Sequence, residues 1–179
     1  MVRRSRAREV VLQLLFQWDQ NPTPVPRAAL EEFARERLLG DEAMVAYALG
    51  LFDGVVAHQD RIDPLLSQTA TNWRLSRMMP VDRNVLRLGT YELLFDPNGQ
   101  PVEVVINEAI ELSRRFGTEE SPAFVNGILD KVAQLKSPRI STSGEVAVTE
   151  HAATSDAAKT AVIAQLPEPT VNNPHSANS

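Results

Sequence analysis

The 179-residue sequence contains no cysteine and only three histidines. The missing thiols exclude disulfides, cysteine-ligated zinc and cysteine nucleophiles, and they fit a reducing compartment. His151 and His175 fall in the C-terminal segment, so His58 alone remains in the body of the chain. One histidine is too few for a histidine-rich metal site. We therefore expect no metal ion and no cofactor.

Enzyme motifs are missing as well. The sequence has no Gly-x-Ser-x-Gly elbow, no Gly-Lys-Ser/Thr phosphate loop and no Gly-x-Gly-x-x-Gly turn. Glu108 and Glu111 lie one helical turn apart, but a solvated or ion-paired helix face explains such a pair better than acid–base catalysis. We assign no catalytic residue and expect a protein that is not an enzyme. The alternative, a small helical hydrolase, would be tested by a screen of ester and phosphate substrates.

Long apolar runs are also absent. No stretch approaches the roughly 20 apolar residues that a membrane-spanning helix needs. The basic start of the chain leads into an amphipathic stretch, which argues against a secretory signal. We expect a cytoplasmic protein without membrane contact. The net charge of -5 argues against a generally basic nucleic-acid binder, but it is compatible with a local basic patch.

Hydrophobic periodicity predicts an all-α body of seven helices. The predicted spans are residues 4–19, 26–39, 41–55, 60–70, 80–93 and 102–116, with a seventh helix starting at residue 121. The proline of Asp63-Pro64 lies early in the fourth helix or breaks it. Gly40 and Gly117 are the expected stops of the second and sixth helices.

The chain changes character near residue 136. Residues 1–136 form the predicted helical domain, whereas residues 137–179 are rich in serine, threonine, alanine and proline. The latter segment cannot bury enough apolar surface to offset its ordering entropy, and we predict a disordered tail. A short helix over residues 157–165 is the alternative within it.

Four arginines crowd the first turns of the first helix: Arg3, Arg4, Arg6 and Arg8. A helix N-terminus carries partial positive charge and disfavours cations. Arginines concentrated there indicate a polyanionic ligand, because a guanidinium pairs with phosphate through two hydrogen bonds. The alternative is a frayed, solvated basic end.

Two phenylalanines lie off the predicted apolar stripes. At about 100° per residue, Phe16 lies about 140° from the stripe centred on Val11, and Phe124 lies about 90° from the stripe centred on Val125. Off-stripe aromatic rings beside arginines suit stacking on unpaired bases. Packing of each ring on a neighbouring helix is the alternative.

Four sequence blocks form a recognisable series: residues 6–9 with 12–16, 81–88 with 91–93, 105–112, and 116–117 with 124–130. They include Val-Ile-Asn-Glu-Ala-Ile-Glu-Leu and Phe-Val-Asn-Gly-Ile-Leu-Asp. In these blocks and in their order, the chain resembles the NusB family of bacterial antitermination factors. The resemblance spans nearly all of the body. It implies a seven-helix NusB-like fold built of two small helical bundles.

The function implied by this resemblance is that of an RNA-binding adaptor in transcription antitermination. Family members bind the boxA element of ribosomal RNA leaders together with the ribosomal protein NusE. That complex joins the elongating RNA polymerase. Some relatives are homodimers that hide the RNA surface, and the sequence does not give the oligomeric state.

The resemblance also implies roles for particular residues. Glu119 or Glu120 would modulate RNA affinity, and Asp82 would face NusE. Phe16 stands where tyrosine is common in the family, so a hydroxyl hydrogen bond is missing there. The positions implied to contact RNA are Arg4, Arg6, Arg8, Phe16 and Phe124.

Two other interpretations use the same features. In a protein–protein scaffold without RNA binding, the arginine-rich end would meet an acidic protein surface. A related domain also precedes the catalytic part of some ribosomal RNA cytosine methyltransferases. Those enzymes need a cysteine nucleophile and a further domain, and this chain has no cysteine and little length after residue 136.

Overall fold

The structure of the protein, a computed structural model, describes residues 2–21, 23, 25–70 and 75–136. These residues contain helices α1 (Val2–Gln20), α2 (Arg27–Arg37), α3 (Glu42–Ala57), α4 (Gln59–Thr69), α5 (Pro80–Leu94), α6 (Val102–Phe116) and α7 (Ser121–Lys136). Each predicted helix is confirmed to within about two residues at its ends. The 3₁₀ turn Leu75–Arg77 was not predicted. The predicted tail and its alternative helix lie outside the described residues.

Several helix ends follow from single side chains. Asp41 caps α3, since its carboxylate accepts a hydrogen bond from the Met44 N–H at 3.3 Å. Pro80 occupies the first turn of α5, where no N–H is needed. Pro64 lies inside α4, so the helix continues through Asp63-Pro64 and loses one backbone donor.

The end of α2 differs from the sequence-based expectation. Gly40 N–H donates to the Arg35 carbonyl at 2.9 Å, and Leu39 N–H donates to the Glu36 carbonyl at 3.3 Å. In this Schellman arrangement the left-handed position that glycine usually takes belongs to Leu39 (φ +55°), and Gly40 follows at φ +72°. The leucine side chain is 94% exposed, so packing does not offset the strain of about 1–2 kcal/mol.

The helices pack as two groups that share one central element. Helices α1–α3 pack on one another, and α4–α7 form the second group, which confirms the two-bundle fold. Helix α5 contacts α1 and α3 as well as α4, α6 and α7. All residues from Asn84 to Leu93 are buried, because a helix surrounded by other helices has no solvent face. No described helix is both long and apolar enough to cross a membrane.

Candidate nucleic-acid interface

The N-terminal arginines of α1 do not form a single patch. Arg3 Nε donates to Asp41 at 2.9 Å, and Arg4 donates to the Gln100 side chain at 3.0 Å. The Arg4 guanidinium also lies 5.4 Å from the Tyr47 ring centre. Both arginines stay exposed, yet they tie the start of α1 to the loops before α3 and α6. The helix end is therefore anchored rather than frayed.

Arg8 turns into the interior and is only 2% exposed. Its guanidinium donates to the Glu92 carboxylate at 2.6, 2.9 and 3.1 Å and lies 3.7 Å from Glu108. We call Arg8, Glu92 and Glu108 the buried cluster. Burial alone would lower the pKa of Arg8, but the hydrogen bonds and charge of Glu92 raise it. The prediction that Arg8 contacts RNA is corrected, because its guanidinium is enclosed and joins α1, α5 and α6.

Arg6 belongs to a second, exposed group. It donates to Glu9 Oε2 at 2.9 Å, while Arg115 at the end of α6 pairs with Glu9 Oε1. The Glu9 side chain is 8% exposed, and the two arginine side chains are 49% and 54% exposed. We call Arg6, Glu9 and Arg115 the arginine bridge. One buried carboxylate thus holds two solvent-facing guanidinium groups from different helices.

Arg115 was missed by the sequence analysis. It is 106 residues away from Glu9, and no local pattern reports a contact across that separation. Its one visible signal is the Arg114-Arg115 pair at the end of α6, where a helix C-terminus favours cations anyway. The Arg115 guanidinium also lies 5.3 Å from the centre of the Phe116 ring, which is 37% exposed.

Phe16 and Arg6 both project from the half of α1 that faces away from its apolar stripe. At about 100° per residue, the two side chains are separated by about 80° around the helix axis. Phe16 is 41% exposed, as its off-stripe position predicts. At 1.5 Å per residue the ring lies about 15 Å along the axis from Arg6. This face therefore offers positive charge at one end and an exposed aromatic ring at the other.

Phe124 occupies a different environment. It is partly buried, packs against the core, and lines a recess of about 330 Å³. Met79, Asp82 and Glu120 line the same recess. Asp82 is 7% exposed, and among the described residues its Oδ1 has no hydrogen-bond partner. Phe124, Asp82 and Glu120, which were predicted to stack on RNA, face NusE and modulate RNA affinity, therefore line one recess. Glu119 is exposed in the turn before α7.

The carboxylates one turn apart on α6 are both paired. Glu108 accepts a hydrogen bond from the Ser5 hydroxyl at 2.7 Å and lies in the buried cluster, and Glu111 pairs with Arg114 at the surface. This confirms the ion-paired explanation of their spacing. Within the described part of the chain, no group of three or more His, Cys, Asp or Glu side chains is arranged to hold a metal ion.

Residues 5–134 match the NusB family. The transcription antitermination protein NusB of Anaeromyxobacter dehalogenans (strain 2CP-1) is 48% identical over 131 residues, which are 73% of this chain and 90% of the relative. The Myxococcus xanthus protein of that name is 47% identical over 133 residues, covering 73% and 94%.

Two solved structures share the fold. T. maritima NusB is 42% identical with a TM-score of 0.62, and the match covers 73% of this chain and 90% of that one. NusB in the crystal structure of antitermination factors NusB and NusE in complex with dsRNA is 27% identical with a TM-score of 0.67. That match covers 75% of this chain and 98% of the other.

Proposed function

This chain belongs to the NusB family of transcription antitermination factors, and we propose that it is a non-catalytic RNA-binding adaptor. Its ligand would be boxA-like RNA of ribosomal RNA operons, bound together with the ribosomal protein NusE. Through that complex it would act on elongating RNA polymerase. The observation that carries the proposal is the exposed α1 face, where Arg6 and Phe16 present a cation and an aromatic ring on one side of the helix.

The RNA interface is assigned to residues 1–136. Arg3, Arg4 and Arg6 are exposed guanidinium groups that can neutralise phosphate. Phe16 offers an open ring on which an unpaired base can stack. A relative solved in complex with NusE and dsRNA supports RNA and NusE as the ligands. Arg8 contributes indirectly, because it fixes α1 against α5 and α6.

Phe124 would hold a second base at the mouth of its recess. Glu120 lines that recess, and Glu119 lies exposed beside it in the chain. Carboxylates at this position repel a nearby phosphate, so they would lower RNA affinity and tune it. Asp82 would meet NusE through an N–H donor that enters the recess, since its enclosed Oδ1 lacks a hydrogen-bond partner among the described residues.

The test is fluorescence anisotropy of a short boxA-like RNA and a scrambled RNA of equal length, with and without NusE. We expect tighter binding of the boxA-like RNA, strengthened by NusE. Changing Arg3, Arg4 and Arg6 together to alanine should flatten the dependence of log K on log[salt] by about 0.7 per lost phosphate contact. Equal binding of both RNAs at every salt concentration would overturn the proposal and favour a protein scaffold.

A further inference from the structure

We infer that Arg115 of α6 is a phosphate-binding residue of the RNA interface and acts as a pair with Arg6 of α1. Glu9 is the positioning residue that holds the pair. The inference rests on the proposed RNA-binding function. It extends the RNA interface from α1 to Arg115 of α6, which contacts Glu9 although it lies 106 residues further along the chain. The observation that supports it is the arginine bridge, in which two exposed guanidinium groups share the Glu9 carboxylate.

The geometry of the bridge orders both arginines before any ligand arrives. Each guanidinium uses one terminal N–H group on a different oxygen of the same carboxylate. The two oxygens are bonded to one carbon, so both guanidinium groups are held at the same carboxylate. A guanidinium has five N–H donors, and the donors not used on Glu9 remain for a ligand. Side chains ordered in advance lose less rotamer freedom on binding.

The charge of the bridge favours an anion. Two guanidinium groups share one carboxylate, which leaves one net positive charge at a site about half exposed to solvent. A tetrahedral phosphate offers several acceptor oxygens and can bridge two neighbouring guanidinium groups. The exposed ring of Phe16 projects from the same half of α1 as Arg6, and the exposed ring of Phe116 lies against Arg115. Both rings suit a ligand that also carries bases.

The fold gives little reason for this bridge. Without Arg115, the buried Glu9 carboxylate still pairs with Arg6, and α1 is already joined to α6 by the Ser5–Glu108 hydrogen bond and by the buried cluster. The contact of Arg115 with Glu9 is therefore explained better by ligand binding than by stabilisation of the fold.

Arg114 is a matched control for Arg115. The two residues are adjacent on α6, and their side chains are 59% and 54% exposed. Arg114 pairs with Glu111 of its own helix instead of crossing to α1. Removing either arginine changes the net charge by the same amount, so a difference between the variants reports position rather than overall charge.

The experiment measures binding of boxA-like and scrambled RNA to the full chain, in the absence of NusE, across a series of salt concentrations. Arg115→Ala should weaken the binding of both RNAs about threefold to tenfold, as for the loss of one solvent-exposed hydrogen-bonded contact. Both RNAs should be affected alike, because phosphate contacts carry no sequence information. For Arg115→Ala, the slope of log K against log[salt] should fall in magnitude by about 0.7, and the thermal midpoint of unfolding should stay unchanged. Arg114→Ala, the control, should weaken RNA binding less than about twofold.

Three results would overturn the inference in distinguishable ways. If Arg115→Ala and Arg114→Ala bind RNA equally while the unmodified chain binds it well, the proposed function stands and Arg115 is not in the interface. If Arg115→Ala leaves RNA binding intact but weakens NusE binding, the bridge serves a protein partner. If the unmodified chain binds no RNA, the proposed function and the inference fail together.

Discussion

Two arginine–glutamate groups lie within one turn of each other on α1 but differ in burial. In the buried cluster the Arg8 and Glu92 side chains are each 2% exposed. In the arginine bridge the two arginine side chains are about half exposed. Removing water makes each buried charge depend on its partner, whereas exposed charges stay hydrated and available. The same residue types therefore stabilise the fold at position 8 and face solvent at position 6.

Breaking the buried cluster should give the largest effect. We expect Arg8→Ala to lower the free energy of unfolding by about 3–5 kcal/mol, because Glu92 would be left as an unpaired buried charge. Urea denaturation monitored by circular dichroism measures this value. Arg6→Ala is the matched control, and its cost should stay below about 1 kcal/mol.

The comparison is sharpened by replacing both partners of the buried pair. Arg8→Met combined with Glu92→Leu removes both charges and keeps most of the volume, so stability should recover towards that of the unmodified chain. A double variant as unstable as Arg8→Ala would mean that packing, and not the unpaired charge, causes the loss.

A third ion-pair group, of intermediate exposure, has a smaller and pH-dependent effect. Burial alone would raise the pKa of Asp19, but hydrogen bonds from Arg83 and Arg87 hold that pKa below its ordinary value of 3.8. Because the folded pKa is the lower one, ionised Asp19 stabilises the protein fully above the unfolded value. This stabilisation is lost as the pH falls through the folded pKa.

We therefore expect Asp19→Asn to lower the free energy of unfolding at pH 7 by about 1.5–3 kcal/mol, the range for hydrogen bonds to charged groups. The difference from the unmodified chain should shrink as the pH is lowered from 5 towards 2. Urea titrations at several pH values measure it, and a difference that stays constant over this range would contradict the role of the carboxylate charge.

The smallest effect concerns backbone strain at Leu39, just after the end of α2. Leu39 lines an open recess together with Arg3 and Arg6, and it adopts a left-handed conformation. Leu39→Gly should raise the free energy of unfolding by about 0.5–1 kcal/mol, since relief of strain exceeds the added chain entropy of glycine. Thermal denaturation measures the gain. Leu39→Ala keeps the strain and should leave stability unchanged, which makes it the control.

Periodicity and capping residues were sufficient to predict the helices, because these signals are local. Asp41, Pro80 and Gly117 marked helix ends that the structure confirms. The apolar stripe predicted on α5 was too narrow. Asn84 and Thr90 are polar residues that the sequence pattern would place at the surface, but the structure buries them. Which helix lies at the centre depends on packing between helices, and a single sequence does not encode that in any one segment.

The candidate site was predicted in part. The exposure of Phe16 followed from its angle on the helix, and Arg3, Arg4 and Arg6 at the arginine-rich start of α1 are exposed. The burial of Arg8 did not follow, because its partner Glu92 lies 84 residues further along the chain. Arg115 escaped for the same reason. Local patterns report which face a residue occupies, but they do not report which distant residue meets it.

The position of α1 also has a consequence for the order of folding. This helix is synthesised before α2–α7, yet its polar contacts through Arg8, Ser5 and Glu9 reach residues 84, 103 and 106 positions further along the chain. A nascent chain that ends before α5 lacks every one of these partners. Contacts of such long range slow folding relative to bundles of neighbouring hairpins. Helix α1 leaves the ribosome before α6, so Arg6 and Glu9 are not joined by Arg115 until α6 has also been synthesised.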